Sequence, residues 1–216
     1  MALSFPVPVA EFFDMVPIAK IKMRPGRAVS FSETGGGEVI AHGVGSRLWQ
    51  GEITLGKEYH SHIAAIEARL SLLEEPGASL LIHDIRHNGP LADPGAVGLG
   101  GATVRIAALD PNNQELALKG LPAGYTISTG DLMGFRYGAN PSRYAYHRVV
   151  VGAVANGVGT TPLIQVTPFL RPGAALDADV TLQRPVLKAV LREADYGAGR
   201  ATVSEGGTFS FIQTLR

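Results

Sequence analysis

Apolar and polar residues alternate along most of this chain in short runs, which is the period-2 pattern of half-buried β-strands. The run 27–33, RAVSFSE, places Val29 and Phe31 on one face. Trp49, Ile53 and Leu55 in RLWQGEITL face away from Leu48, Gln50, Glu52 and Thr54. The same alternation pairs Val104 with Ile106, Leu116 with Leu118, Ile164 with Val166, Val180 with Leu182 and Phe209 with Phe211. Turn signals separate these runs: DPNN at 110–113, GANPS at 138–142, ANGVG at 155–159 and GAG at 197–199. One segment breaks the rule. Tyr59, Ile63, Ile66, Leu70 and Leu73 recur at steps of three and four, which predicts a helix over 58–75 that ends at Pro76-Gly77. Many strands and one helix predict a mainly β protein, built as a sandwich or as barrels.

Two stretches divide the chain. Residues 84–101, DIRHNGPLADPGAVGLGG, are too rich in Gly and Pro for a regular element and read as a linker. Arg184-Pro185 interrupts the strand pattern a second time. The chain ends on the strand-like TFSFIQT, and pairing it with N-terminal strands would make an outer domain of 1–95 and 188–216 with 96–187 inserted. Composition needs no cross-links: there is no Cys, which excludes disulfides, cysteine nucleophiles and thiolate metal sites. Lys+Arg and Asp+Glu number 19 each, so no net field draws the chain to nucleic acid or to an anionic membrane. The first twenty residues lack the basic start and unbroken apolar core of a signal peptide, and no apolar run reaches spanning length.

Candidate chemistry is sparse. His60 and His62 lie two apart, so on a helix they diverge and cannot share a metal ion. GEITLGK at 51–57 imitates part of a phosphate loop, but Glu58 stands where Ser or Thr would bind magnesium, and the segment alternates as a strand. His83, Asp84, Arg86 and His87 cluster in LIHDIRHNG without a nucleophile motif, which leaves a hydrolase triad built from distant loops as a weak alternative. Gly130-Asp131 reads as a turn entering a strand, and His147, alternating with Val149 and Val151, as an interior or edge histidine. No catalytic residue, metal ligand or cofactor site is assigned. The candidate surface is the hairpin 135–151, FRYGANPSRYAYHRVVV. With the turn at 138–142, Arg136, Tyr144, Tyr146 and Arg148 share a face, together with Gly134. Interleaved Arg and Tyr form either a platform for sugars or single-stranded bases, or a core edge with solvated arginines.

The order of LWQGEITLG, the helix, LLIHDIRHNGPLADPG, GLPAGYTISTGDLMGF, the segment from YAYHRVVV through TPFLRPGAALDADVTL, and FSFIQTLR resembles the distal tail proteins of long-tailed bacteriophages and prophages. The likeness spans nearly the whole chain. It implies a split β-sandwich ring (belt) domain with one helix and an inserted oligonucleotide/oligosaccharide-binding (OB) type β-barrel. It also implies a non-enzymatic, cofactor-free structural protein of the virion tail tip or baseplate, made in the host cytoplasm. Its partners would be copies of itself in a ring, a hexamer by the resemblance, with the tail tube protein on one side and the tail-tip hub protein on the other. The alternative is a carbohydrate-binding module that attaches to the host surface through the Arg-Tyr hairpin, with weak affinity for host polysaccharide.

Overall fold

A computed structural model describes residues 3–216. The N-terminal part supplies β1 (Ile18–Pro25), β2 (Val29–Glu33), β3 (Val39–Gly43), β4 (Trp49–Leu55), β5 (Glu58–Tyr59), α1 (His60–Leu73) and β6 (Leu80–Ile82). The middle supplies β7 (Arg105–Leu109), β8 (Glu115–Lys119), β9 (Thr126–Ile127), β10 (Leu132–Tyr137), β11 (Arg143–Val151), β12 (Ala153–Val154), β13 (Ile164–Thr167) and β14 (Val180–Thr181). β15 (Leu187–Asp195), β16 (Val203–Ser204) and β17 (Thr208–Gln213) follow. The protein is mainly β, with curled antiparallel sheets.

The larger strands form two sheets. In the first, the order is β1-β4-β17-β15-β6, so the last strand inserts between strands from both ends of the chain. Ile21, Ile53 and Phe209 are cross-strand neighbours, as are Met23, Gly51 and Phe211, and all these side chains share one buried cluster with Trp49, Leu80, Ile82 and Leu187. Glycine at 51 is required sterically. A Cβ there would lie 2.2 Å from the Lys22 carbonyl oxygen and 2.6 Å from the Phe211 ring, far inside contact distance. The helix closes this cluster with Ile63, Ile66, Leu70 and Leu73. Its first residue is His60, and Tyr59 does not join the stripe: it pairs with Val203 as part of the short strand β5 and is 69% exposed. The helical period extends by chance into a residue whose backbone is already extended.

The second sheet runs β14-β10-β11-β13-β8-β7 and curls until its ends meet. Arg105 and Asp179 form an antiparallel bridge, Val180 N–H donates to the Val104 carbonyl at 2.8 Å, and Arg105 Nε donates to Asp179 at 2.9 Å. The result is a near-barrel filled by Ile106, Leu116, Leu118, Met133, Ile164 and Val166. The connection 84–101 contains no helix or strand, as its composition predicts, but it is not a loose tether. Ala96 and Leu99 are buried in the near-barrel's cluster, and the Asp93 carboxylate accepts hydrogen bonds from Val97 N–H, Leu99 N–H and the Tyr125 hydroxyl. Short polar caps replace the ladder of a regular element.

Because Leu70 is fully enclosed, Leu70→Ala should lower unfolding stability by about 2–5 kcal/mol in denaturant titration, as truncation of a core leucine does. A change within error would mean the stripe carries no core.

Candidate functional site

The hairpin β10–β11 has the predicted register: Leu132 faces Arg148, Gly134 faces Tyr146, and Arg136 faces Tyr144. The four candidate residues therefore lie on one face, but they do not make one open surface. Tyr146 is 2% exposed and belongs to the cluster of the five-stranded sheet, with its ring edge-on to Trp49 at 5.0 Å. Arg148 lies over the same indole at 5.3 Å, while the exposed Arg136 covers Tyr144 at 5.1 Å. Tyr146 is thus corrected from candidate surface to buried joint. The pattern of alternation reported the shared face, and only the tertiary fold shows that a second sheet covers part of it.

That joint is hydrogen-bonded as well as apolar. The Trp49 indole N–H donates to the Tyr146 carbonyl at 2.7 Å. The buried Gln213 amide bridges the sheets: its oxygen accepts from Trp49 N–H at 3.2 Å and its nitrogen donates to the Tyr144 carbonyl at 3.0 Å. Neither Trp49 nor Gln213 stands out in the sequence as anything but strand residues.

Beside the joint, His83 and Asp84 directly follow β6 and are both buried. Arg86 grips Asp84 with two hydrogen bonds of 2.8 and 2.7 Å. Burial alone would raise the Asp84 carboxyl, but this contact overrides it and holds the group below the usual carboxylate range. Burial, reinforced by the Arg184 guanidinium donating to Nε2, keeps His83 neutral below its ordinary range. With Asp84 committed to Arg86 and His83 to Arg184, the cluster is wired as structure and does not form a triad. Asp131 is likewise structural, accepting from Leu91 and Ser128 N–H groups at 2.7 Å each, although burial raises its pKa. His60 contacts the Ser204 hydroxyl at 3.2 Å, and His62 lies 3.9 Å from Glu58.

Two exposed features among the described residues bear on binding. A cleft of about 700 Å³ crosses the solvent face of the five-stranded sheet, lined by Lys22, Arg24, Arg86 and Arg192 together with Glu52 and Glu193. Lys22, Glu52, Ser210 and Glu193 form one cross-strand row there. The second feature is the hairpin β2–β3. The alternation of Val29 and Phe31 falls on β2, yet every residue from 29 to 47 is exposed, including Phe31 at 55% and Val39 at 58%. Register places Val29, Phe31, Ala41 and Val39 on one exposed face, where the Arg27 guanidinium lies 5.8 Å from the centre of the Phe31 ring. Among the described residues, no helix is long and apolar enough to cross a membrane. Comparison with known proteins returns no matching family and no similar curated protein.

Two substitutions separate packing from hydrogen bonding at the joint. Trp49→Phe should cost about 1–3 kcal/mol, because the Tyr146 carbonyl loses its buried donor. Tyr146→Phe should not destabilise and should raise stability by up to about 1 kcal/mol, because it removes a hydroxyl that is buried without a partner. Circular dichroism during denaturant unfolding reads both, since Trp49 is the only tryptophan.

His147 makes a pH prediction. Burial lowers its pKa to about 4, against the Nδ1 contact of 2.7 Å with the Pro168 carbonyl. The unfolded chain takes up a proton near pH ~6.5 that the folded chain refuses, so stability is full above that value and falls as pH drops toward about 4. The loss attributable to this histidine is about 3 kcal/mol. Subtracting the pH–stability curve of His147→Gln from that of the parent should isolate it; parallel curves would refute it.

Proposed function

We propose that this protein is a structural ring-forming adaptor of a phage tail tip or baseplate, in which self-association is the activity. The observation that carries this reading is the β2–β3 hairpin. A two-stranded hairpin is marginal in water by itself, and this one holds Val29, Phe31, Val39 and Ile40 exposed, with the Arg27 guanidinium over the Phe31 ring. Arg27 shields only part of Phe31, so such an element is stabilised when a neighbouring copy covers it. In a ring each copy presents the hairpin to the next and receives one in turn.

On this reading residues 1–95 and 188–216 form the split β-sandwich of the ring, braced by α1, and 96–187 form an inserted OB-type barrel. The order of the five-stranded sheet supports the first part, because β17 lies between β4 and β15. The closing contacts of β7 with β14 support the second. Leu187 begins β15 and belongs with the outer unit. The resemblance to distal tail proteins supplies the assignment to the virion, a hexameric ring, and contacts with tail tube and tail-tip hub. The alternative of a sugar-binding module loses support from the hairpin 135–151, where Tyr146 is buried and the Tyr144 ring is already covered by Arg136.

Light scattering coupled to size exclusion tests this reading. The chain should elute as a closed oligomer, and replacing residues 29–43 by a short Gly-Ser turn should give a folded monomer. A parent chain that stays monomeric at tens of micromolar would overturn the proposal.

A further inference from the structure

We infer that the acidic tip of the β2–β3 hairpin docks into the basic cleft of a second copy of this chain. The inference rests on the ring reading and names the contact that would hold it. The hairpin tip is Glu33-Thr34-Gly35-Gly36-Gly37-Glu38, closed by hydrogen bonds between Thr34 and Glu38 and by Gly37 at a positive φ of 81°. Glu33 and Glu38 are its two carboxylates, and neither has a cationic partner among the described residues. Between residues 28 and 46 no Lys or Arg offsets them.

The cleft has the opposite balance. Four cations line it, against the carboxylates of Glu52 and Glu193 in its wall and of Asp84 behind Arg86, a surplus of one that favours an acidic occupant. Lys22 already pairs with Glu52 at 3.6 Å, and Arg86 is held by Asp84, which leaves Arg24 and Arg192 without a carboxylate among the described residues. Across the floor run Gln50 and Ser210, neutral groups able to bond to a carboxylate or to hairpin backbone. Two arginines free to donate in a planar fork suit carboxylates better than lysines do.

The tip does not reach its own cleft. The hairpin leaves the sheet from Pro25 and Trp49, at the end of the two strands that form part of the cleft, and its exposure shows that it does not fold back. At about 3.3 Å per residue, the segment from Gly26 to Glu33 carries the tip roughly 25 Å away from that stem, far enough to lie on an adjacent copy. The apolar face of Val29, Phe31, Val39 and Ala41 would then be covered along its length while the two glutamates fix its register.

Charge exchange tests the contact. All substituted positions are exposed, so the variants should fold, which circular dichroism verifies. Glu33→Lys with Glu38→Lys should raise the assembly midpoint concentration at least tenfold. Arg24→Glu with Arg192→Glu should do the same. Combining all four should restore assembly, and raising salt from about 0.05 to about 0.5 M should weaken the parent but not abolish it. If the parent assembles and either double variant assembles equally well, this contact is wrong while the ring reading stands. Failure of the fourfold variant to recover, with both doubles impaired, also overturns the pairing. A parent that never assembles removes the ring reading itself.

Discussion

The arrangement of the two sheets depends on one amide and one indole. Gln213 and Trp49 sit side by side on adjacent strands of the five-stranded sheet and reach the backbone carbonyls of Tyr144 and Tyr146 on β11. These are buried contacts, and a buried carbonyl left without a donor is costly, so the bonds constrain geometry more than their net energy conveys. Because both acceptors belong to alternate residues of one strand, the joint fixes β11 in register as well as in position. The Tyr146 ring and the Arg148 guanidinium then pack on the same indole and exclude water from it.

Around that joint the polar residues are consumed by structure. Asp84 is bonded to Arg86, one ring nitrogen of His83 to Arg184, Asp131 to two backbone N–H groups, and one ring nitrogen of His147 to the Pro168 carbonyl, while His83 Nδ1 and His147 Nε2 are buried without a partner. What the molecule leaves unengaged and exposed lies elsewhere, on the hairpin arm and on the concave outer face of the first sheet.

Local pattern made much of this legible. Period-2 alternation located the strands containing Trp49, Ile106, Leu116, Ile164, Val180 and Phe209, and period 3.6 located α1, because both periods report burial of one face. The hairpin register followed from the turn at 138–142. Three things were beyond such reading. Tyr59 matched the helical stripe by spacing, but spacing does not register a strand pairing with Val203, more than a hundred residues away. Residues 84–101 had linker composition, yet Asp93 organises them through side-chain caps that no periodicity reports. Val29 and Phe31 alternate as buried residues do and are exposed, because alternation shows that a face is apolar without saying what covers it. The cleft was invisible for a related reason: its cations are separated by up to 170 positions and meet only on the folded sheet.

The position of β17 in the middle of the first sheet has a consequence for synthesis. Every strand of the near-barrel finds its sheet partners within residues 104–181, so that sheet can close while the ribosome is still adding the rest. The first sheet cannot. Its β1–β4 ladder must wait, with Ile53 and Trp49 bare on one side, until residues 208–213 emerge and fill the gap beside β4. Through translation of about 150 residues that half of the protein stays an open-edged, sticky precursor, and the near-barrel closes only late in the interval, once residue 181 has emerged; this is when a nascent chain is most exposed to mispairing and to chaperone capture.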